Sequence, residues 1–285
     1  MAEAEIGVIG GSGLYEMAEL GEVEERVLDT PYGAPAAPYV LGTLSGKRIA
    51  FLPRHGRGHV FLPHEIPFRA NIHGFKQLGV EWLISVSAVG SLKEDIHPGH
   101  IVIPDQFIDL TKTRIATFFG DGVVAHVSMA DPVCGVLSGI LMGAAVRAGA
   151  TAHEGGTYVC MEGPQFSSRA ESFRYRAWGA SIIGMTNMPE AKLAREAEMS
   201  YATIALATDY DCWHEEEEAV SVEAVIALVR SNAALAQKII KEAVPEIDGE
   251  SPFAGSLATA LMTDPARMPN ETKERLHHLI GKYIS

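Results

Sequence analysis

Short apolar runs, most of them cut off by glycine or a polar turn, recur at 5–9, 38–43, 48–53, 82–87, 156–160, 181–184 and 201–207. They are rich in Val, Ile, Leu and Ala and read as strands. Between several of them the apolar spacing becomes helical. Phe68, Ile72 and Phe75 form a rough stripe within 64–78, and 133–148 is rich in Leu, Ala and Gly. Pro189 suits the first position of a helix over 189–198, where Lys192 and Glu196 stand four residues apart as a candidate ion pair. Ser221-Val222-Glu223 opens a longer helix through about 242, with Val225, Ile226, Val229, Leu235 and Ile239 on its apolar side. Strands alternating with helices predict an α/β fold: a single domain with a central mixed β-sheet flanked by helices. A chain of 285 residues is long enough to bury one large core. The predicted domain covers 1–245. Residues 246–285 open on a loop-like segment and continue as two short helical pieces broken near Pro265 and Pro269. This extension is expected to pack on the same domain or on a neighbouring subunit.

In open α/β sheets, sites form beyond the C-terminal ends of strands, and here the chemically loaded segments follow strand-like runs. The first run ends in Gly10-Gly11-Ser12-Gly13. Without side chains in the way, its amides and the Ser12 hydroxyl can converge on an anion. The turn is neither a dinucleotide fingerprint, because residue 16 is Glu, nor a P-loop, because no Gly-Lys-Ser/Thr follows. Arg54-His55-Gly56-Arg57-Gly58-His59 is a basic loop. His55, His59 and His64 could converge on a metal, but two flanking arginines repel a cation, and a guanidinium fork suits phosphate better. Glu162-Gly163-Pro164-Gln165-Phe166 offers an aromatic ring for a flat base and a carboxylate for ribose hydroxyls. Asp209-Tyr210-Asp211 ends the run 201–208 with two carboxylates that can address two adjacent polar atoms of a purine. Glu215-Glu216-Glu217-Glu218 reads as a solvated segment. An anion cradle, a basic loop, an aromatic loop and a carboxylate pair together suggest phosphate attacking a nucleoside.

Composition removes other classes. A net charge of −13 leaves no general nucleic-acid binder. Cys134, Cys160 and Cys212 are widely spaced and form no CxxC, which predicts free thiols. The sequence shows no secretory pattern and no apolar stretch of membrane-spanning length, so a soluble cytoplasmic protein is expected. The mean hydropathy of +0.09 is slightly apolar and fits surface buried between subunits.

With these segments in order, residues 5–245 resemble the 5′-methylthioadenosine phosphorylases of the trimeric branch of the purine nucleoside phosphorylase superfamily. The resemblance is carried by Gly-Gly-Ser-Gly-Leu, Pro-Arg-His-Gly-Arg-Gly-His, Ser-Val-Ser-Ala-Val-Gly-Ser-Leu at 85–92 and Ile-Pro-Asp-Gln-Phe-Ile-Asp at 103–109. His-Val-Ser-Met-Ala-Asp-Pro at 126–132, Glu-Gly-Pro-Gln-Phe-Ser-Ser-Arg-Ala-Glu-Ser and Ala-Thr-Asp-Tyr-Asp-Cys-Trp complete it. The resemblance implies that Ser12, Arg54, His55, Ser87, Ala88 and Thr186 hold phosphate. It implies that Met185 lies beneath the ribose, that Phe166 lies against the base and that Asp209 and Asp211 read adenine. Ser167 and Val222 match positions lining the base and substituent pockets. His59 and His126 match positions near the 5′ group, His126 across a subunit boundary. Homotrimers, in some members paired into hexamers, are implied, with no metal and no organic cofactor. Gln165 stands where the family usually has Arg, and the segment after 246 matches no family tail recognisable in the sequence.

The expected reaction is reversible phosphorolysis of 5′-methylthioadenosine to adenine and 5-methylthioribose 1-phosphate, with Asp209 as the acid at N7. Aspartates at both positions favour a 6-amino purine, because a carboxylate repels a 6-oxo group. Action on adenosine, inosine, guanosine or methylthioinosine, and a non-catalytic nucleoside-binding role, are the alternatives.

Overall fold

A computed structural model describes residues 2–11, 14, 16–214 and 222–284, with side chains left undescribed over 222–231. Among the described residues the strands join into one eleven-stranded mixed sheet. Its spine is β5 (Trp82–Ser91), which pairs in parallel with β1 (Ile6–Gly10) and with β11 (Ser200–Asp209). On the far side of β1 lies β4 (Lys47–Pro53), also parallel, followed by the antiparallel β3 (Tyr39–Leu44) and β2 (Gly21–Arg26). Short strands fill the other side: β6 (Ile101–Ile103), β7 (Gln106–Asp109), β8 (Ala152–Glu154), β9 (Thr157–Cys160) and β10 (Ile182–Gly184).

Side chains alternate across the sheet, and both faces are buried. Ile9, Leu41, Leu52 and Leu83 point into a core shared with α1 (Phe68–Leu78) and α4 (Asn187–Glu196), through Ile72, Phe75, Leu193 and Ala194. Val8, Val40, Phe51 and Ile84 point into the opposite core, closed by α2 (Gly135–Arg147) and α5 (Val222–Ala243) through Leu137, Leu141, Ile239 and Ile240. The predicted strand runs and these four helices are therefore present, with ends shifted by a few residues. Within α4, Met188 is non-helical, so the regular turns begin at Pro189. The expected Lys192–Glu196 pair is replaced by longer-range partners. Lys192 Nζ lies 2.5 Å from Asp109 Oδ2, while Glu196 accepts from Thr117 Oγ1 at 2.7 Å and Phe118 N at 2.8 Å.

Side chains of the segment 246–284 pack against the rest of the same chain. Leu257, Met268, Leu276, Leu279 and Ile280 belong to the first core, and α6 (Asn270–Arg275) and α7 (His277–Ile284) lie on it. Glu198 fixes the segment, accepting from Leu257 N at 3.0 Å and Tyr283 Oη at 2.6 Å and pairing with Lys282 Nζ at 2.7 Å.

The parallel strands β1, β4, β5 and β11 share one C-terminal edge, so topology alone gathers Gly10, Arg54, Ser87-Ala88 and Asp209 there. Opposing β5, the antiparallel β10 pairs Ile183 with Gly90 and delivers Met185 and Thr186 back toward Ser87. No helix among the described residues is long and apolar enough to cross a membrane.

Candidate active site

At one end of this edge, polar side chains converge where phosphate was expected. Ser87 Oγ lies 2.9 Å from Thr186 Oγ1 and 3.2 Å from the hydroxyl of Tyr158, all three side chains being buried. Ala88 is exposed between buried neighbours, so β5 opens to the surface at this step. Gly184 must be glycine, because a Cβ there would stand 2.0 Å from Tyr158 Oη.

Arg54 follows β4, and its backbone N–H donates to Gly10 O at 2.8 Å, tying the basic loop to the glycine turn. The guanidinium is only 2% exposed. Its Nε and Nη2 donate to the two oxygens of Glu190 at 2.6 and 2.9 Å, Nη2 also to Ser85 Oγ at 2.7 Å and Ile9 O at 3.3 Å, and Nη1 to Val86 O at 3.1 Å. Burial disfavours the charge, but the adjacent Glu190 outweighs it and raises the Arg54 pKa. Of its five N–H groups, one on Nη1 has no partner among the described residues. Arg57 is different: it lies on the surface, paired with Glu25 at 2.6 Å.

His55 Nδ1 lies 2.9 Å from Phe61 O; a carbonyl only accepts, so Nδ1 carries the hydrogen and Nε2 is left as an acceptor. Burial, together with His59, Arg54 and Arg114 nearby, lowers its pKa to about 4, so the ring is neutral at pH 7. His59 stacks on it, ring centroids 4.1 Å apart. Among the described residues no group of three His, Cys, Asp or Glu side chains is placed to hold a metal ion.

The carboxylate pair stands at the end of β11. Asp209 Oδ2 accepts from Thr208 Oγ1 at 2.6 Å, and Oδ1 accepts from Asp211 N at 2.7 Å. Asp211 reaches back through φ 53°, a conformation that short polar residues tolerate. Its Oδ2 is buried with no partner within hydrogen-bond geometry among the described residues. Burial pushes its carboxyl up, and the charge of Asp209 adds to this. Two neighbouring carboxyls titrate together, so a proton at this site belongs to the pair. Gly90 leaves room beside them, since a Cβ there would meet Asp209 Oδ1 at 2.9 Å. The intervening Tyr210 is buried, its hydroxyl hydrogen-bonded to His97 Nδ1 and its ring stacked on His214.

Two further loops carry the remaining expected site residues. Phe166 is 53% exposed. Ser167 O accepts from Cys212 Sγ at 3.2 Å, which joins the aromatic loop to the aspartate loop. Met185 lies against Gly163, where a Cβ would approach its sulfur to 2.5 Å. Glu162 is not a free carboxylate. It accepts from Lys112 N at 2.9 Å, Thr113 N at 3.2 Å and the Thr113 hydroxyl, and lies 3.4 Å from Arg114 Nε, which corrects the ribose role expected for it. His126 is exposed, its N–H donating to Ala260 O at 2.9 Å, and no described contact links it to the other site residues. Ser12, Glu215–Glu218 and the Val222 side chain lie outside the described residues.

Sequence reading missed Glu190, Tyr158 and Arg114. Glu190, directly after Pro189 at a helix start, gave only the signal of an ordinary first-turn acid.

The Phosphorylase superfamily model matches residues 5–245. A polar cradle and a carboxylate pair at one edge of this mixed sheet accord with that match, and the chain belongs to this superfamily. Within it, the chain is 62% identical to the S-methyl-5′-thioadenosine phosphorylase of Geobacter sulfurreducens, across 99% of this chain and 100% of that one. That alignment runs through the C-terminal segment. A methylthioadenosine phosphorylase from an Antarctic soil metagenomic library superposes with a TM-score of 0.94 at 53% identity, covering 98% of this chain and 99% of that one. Methylthioadenosine phosphorylase from Schistosoma mansoni, solved with adenine, gives 0.86 at 35% identity over 90% and 99%.

Proposed function

We propose that this chain is an enzyme that catalyses reversible phosphorolysis of 5′-methylthioadenosine, giving adenine and 5-methylthioribose 1-phosphate. The observation that carries this reading is the meeting of two unlike clusters on one sheet edge: Arg54, Ser87 and Thr186 at one end, and the Asp209–Asp211 pair at the other. Full-length identity to S-methyl-5′-thioadenosine phosphorylases supports it.

In this reading phosphate sits among Ser12, the second Nη1 hydrogen of Arg54, His55, Ser87, the Ala88 backbone and Thr186. Neutral His55 accepts a hydrogen bond from a protonated phosphate oxygen at Nε2. Met185 underlies the ribose and Phe166 covers the base. Asp209 and Asp211 share one proton; Asp209 delivers it to N7, so adenine leaves as a neutral base, and the other carboxylate accepts from the 6-amino group. As the C–N bond lengthens the sugar carbon becomes cationic, and bound phosphate stabilises it and then attacks. Positioning and electrostatics, without a covalent enzyme intermediate, supply the rate. Phosphate is a co-substrate, and the reading uses no metal or organic cofactor.

The assembly proposed is a homotrimer, or a dimer of trimers, in which His126 and His59 close the 5′ pocket and Ser167 and Val222 tune it. Exposed Ile115, Val124 and Met262, on or near the His126 segment, support a covered surface there. A cytoplasmic location is part of the same proposal.

The test is adenine release from 5′-methylthioadenosine with and without phosphate, with adenosine and inosine in parallel. Phosphate-dependent release, fastest with methylthioadenosine, is expected. Release without phosphate would make the protein a hydrolase. Turnover of inosine alone would overturn the reading of the aspartates.

A further inference from the structure

We infer that Arg114 is a positioning residue that fixes the nucleoside half of the site by clamping two loops together. The inference rests on the proposed function for the identity of the ligand, but the clamp itself is drawn from geometry.

The strands β9 and β10 run parallel with Gly184 opposite Cys160, so both chains leave the sheet at one level. Beyond that level their carbonyls lose ladder partners. One becomes the loop 161–167, carrying Phe166 and Ser167, and the other 185–188, carrying Met185 and Thr186. Arg114 comes from a third segment and inserts between them, its side chain 1% exposed. Nη1 donates to Met185 O and Met188 O, both at 2.6 Å. Nη2 donates to Glu162 O at 2.7 Å and Met161 O at 3.3 Å. Each terminal nitrogen thus serves one loop, and the rigid guanidinium plane sets the distance between them. An ammonium is a single point and cannot span both pairs of carbonyls. Glu162 completes the arrangement by holding the 112–113 backbone to the same loop. No described hydrogen bond joins Arg114 to Asp209, Asp211 or Ser87, so it acts through Met185 and the 161–167 loop, without touching the reacting atoms.

The experiment compares Arg114→Lys and Arg114→Ala with the unaltered enzyme in steady-state kinetics, thermal melting, pH profile and adenine binding by calorimetry. Loosening the loops by an ångström is expected to lower kcat/KM for the nucleoside about 10–100-fold, chiefly through KM, with the pH profile unmoved. Millimolar methylguanidine is expected to restore part of the activity of Arg114→Ala. An unchanged nucleoside KM in a folded Arg114→Lys variant overturns the inference. So does loss of activity that merely parallels loss of melting temperature, with no rescue by methylguanidine. If the unaltered enzyme releases no adenine from methylthioadenosine, the proposed function fails by itself. Adenine affinity, weakened about tenfold in Arg114→Lys if the clamp shapes the base wall, then decides the inference separately.

Discussion

Glu190→Ala isolates the buried ion pair behind the proposed phosphate site. Arg54 and Glu190 are 2% and 0% exposed at the side chain and joined through two hydrogen bonds, so the substitution strands a guanidinium in the core. Breaking such a pair from one side costs about 3–5 kcal/mol, which for a chain of this size lowers Tm by about 6–20 °C. The loss comes from an uncompensated charge, so removing the charge should reverse most of it. Arg54→Met combined with Glu190→Gln leaves no buried charge. It keeps an amide oxygen for Ser85 and Tyr201, both of which donate to Glu190 Oε1 at 2.9 Å. This double variant is expected to melt well above Glu190→Ala. Its phosphate KM nevertheless rises about 10–150-fold, because a charged hydrogen bond worth roughly 1.5–3 kcal/mol is gone. Differential scanning fluorimetry and phosphate titrations at saturating nucleoside read both effects. Glu190→Ala melting within about 2 °C of the parent would refute the desolvated-pair argument. An unchanged phosphate KM in the double variant would remove Arg54 from the phosphate site.

Asp209→Asn is expected to lower kcat about 10²–10⁴-fold while leaving phosphate KM nearly constant; unchanged turnover would take the proton role away from Asp209. His73 is fully buried, neither ring nitrogen has a partner within hydrogen-bond geometry among the described residues, and burial, with His278 adding, lowers its pKa to about 4. The unfolded chain takes up that proton near pH 6.5, so His73 contributes stability above that pH and loses it as pH falls toward about 4, by about 3 kcal/mol. His73→Leu should therefore flatten the acid limb of a melting-temperature profile, and identical limbs would sink the assignment. Gly184→Ala forces a methyl onto Tyr158 Oη and is expected to reduce kcat/KM about tenfold through overpacking, with part of it recovered by adding Tyr158→Phe. Full activity in the single variant would show that this wall yields freely.

The strands that build the site were legible because they are buried on both faces, and such strands are continuous apolar runs. What escaped was structure whose burial leaves little trace in the local pattern. Strand β2 reads Gly-Glu-Val-Glu-Glu-Arg and is largely exposed at the sheet edge, so it lacks an apolar period. At three residues each, β6 and β8 are too short to show one. The helix α3 (Arg169–Ala177), opened by a Ser168–Glu171 capping box, buries only Ser172 and Tyr175, too few to mark an apolar stripe. In the tail, prolines and polar residues conceal Leu276, Leu279 and Ile280, which reach the main core. The site shows the same division. Positions at strand ends could be read one by one, whereas Glu190, 136 residues from Arg54, looks in sequence like any surface acid. The same holds for Glu162, whose carboxylate turns to the 112–113 backbone.

The pairing of Arg54 with Glu190 bears on why a phosphorolytic site would be built this way. An unpaired arginine would hold phosphate strongly in the ground state and neutralise the charge that the reaction needs. With Glu190 beside it, Arg54 offers a directed N–H from a locally neutral unit. Ser87, Thr186 and neutral His55 add contacts without formal charge. In the proposed reaction phosphate would then keep much of its negative charge facing the sugar carbon, where positive charge appears only as the C–N bond lengthens. Attraction that grows toward the transition state accelerates the step, whereas uniform attraction would only tighten binding. At the other end, burial and the neighbouring Asp209 raise the Asp211 carboxyl, which in the proposed reaction would help the pair to hold the proton that adenine takes on departing. In that mechanism both ends would use burial to moderate charge until bond breaking calls for it.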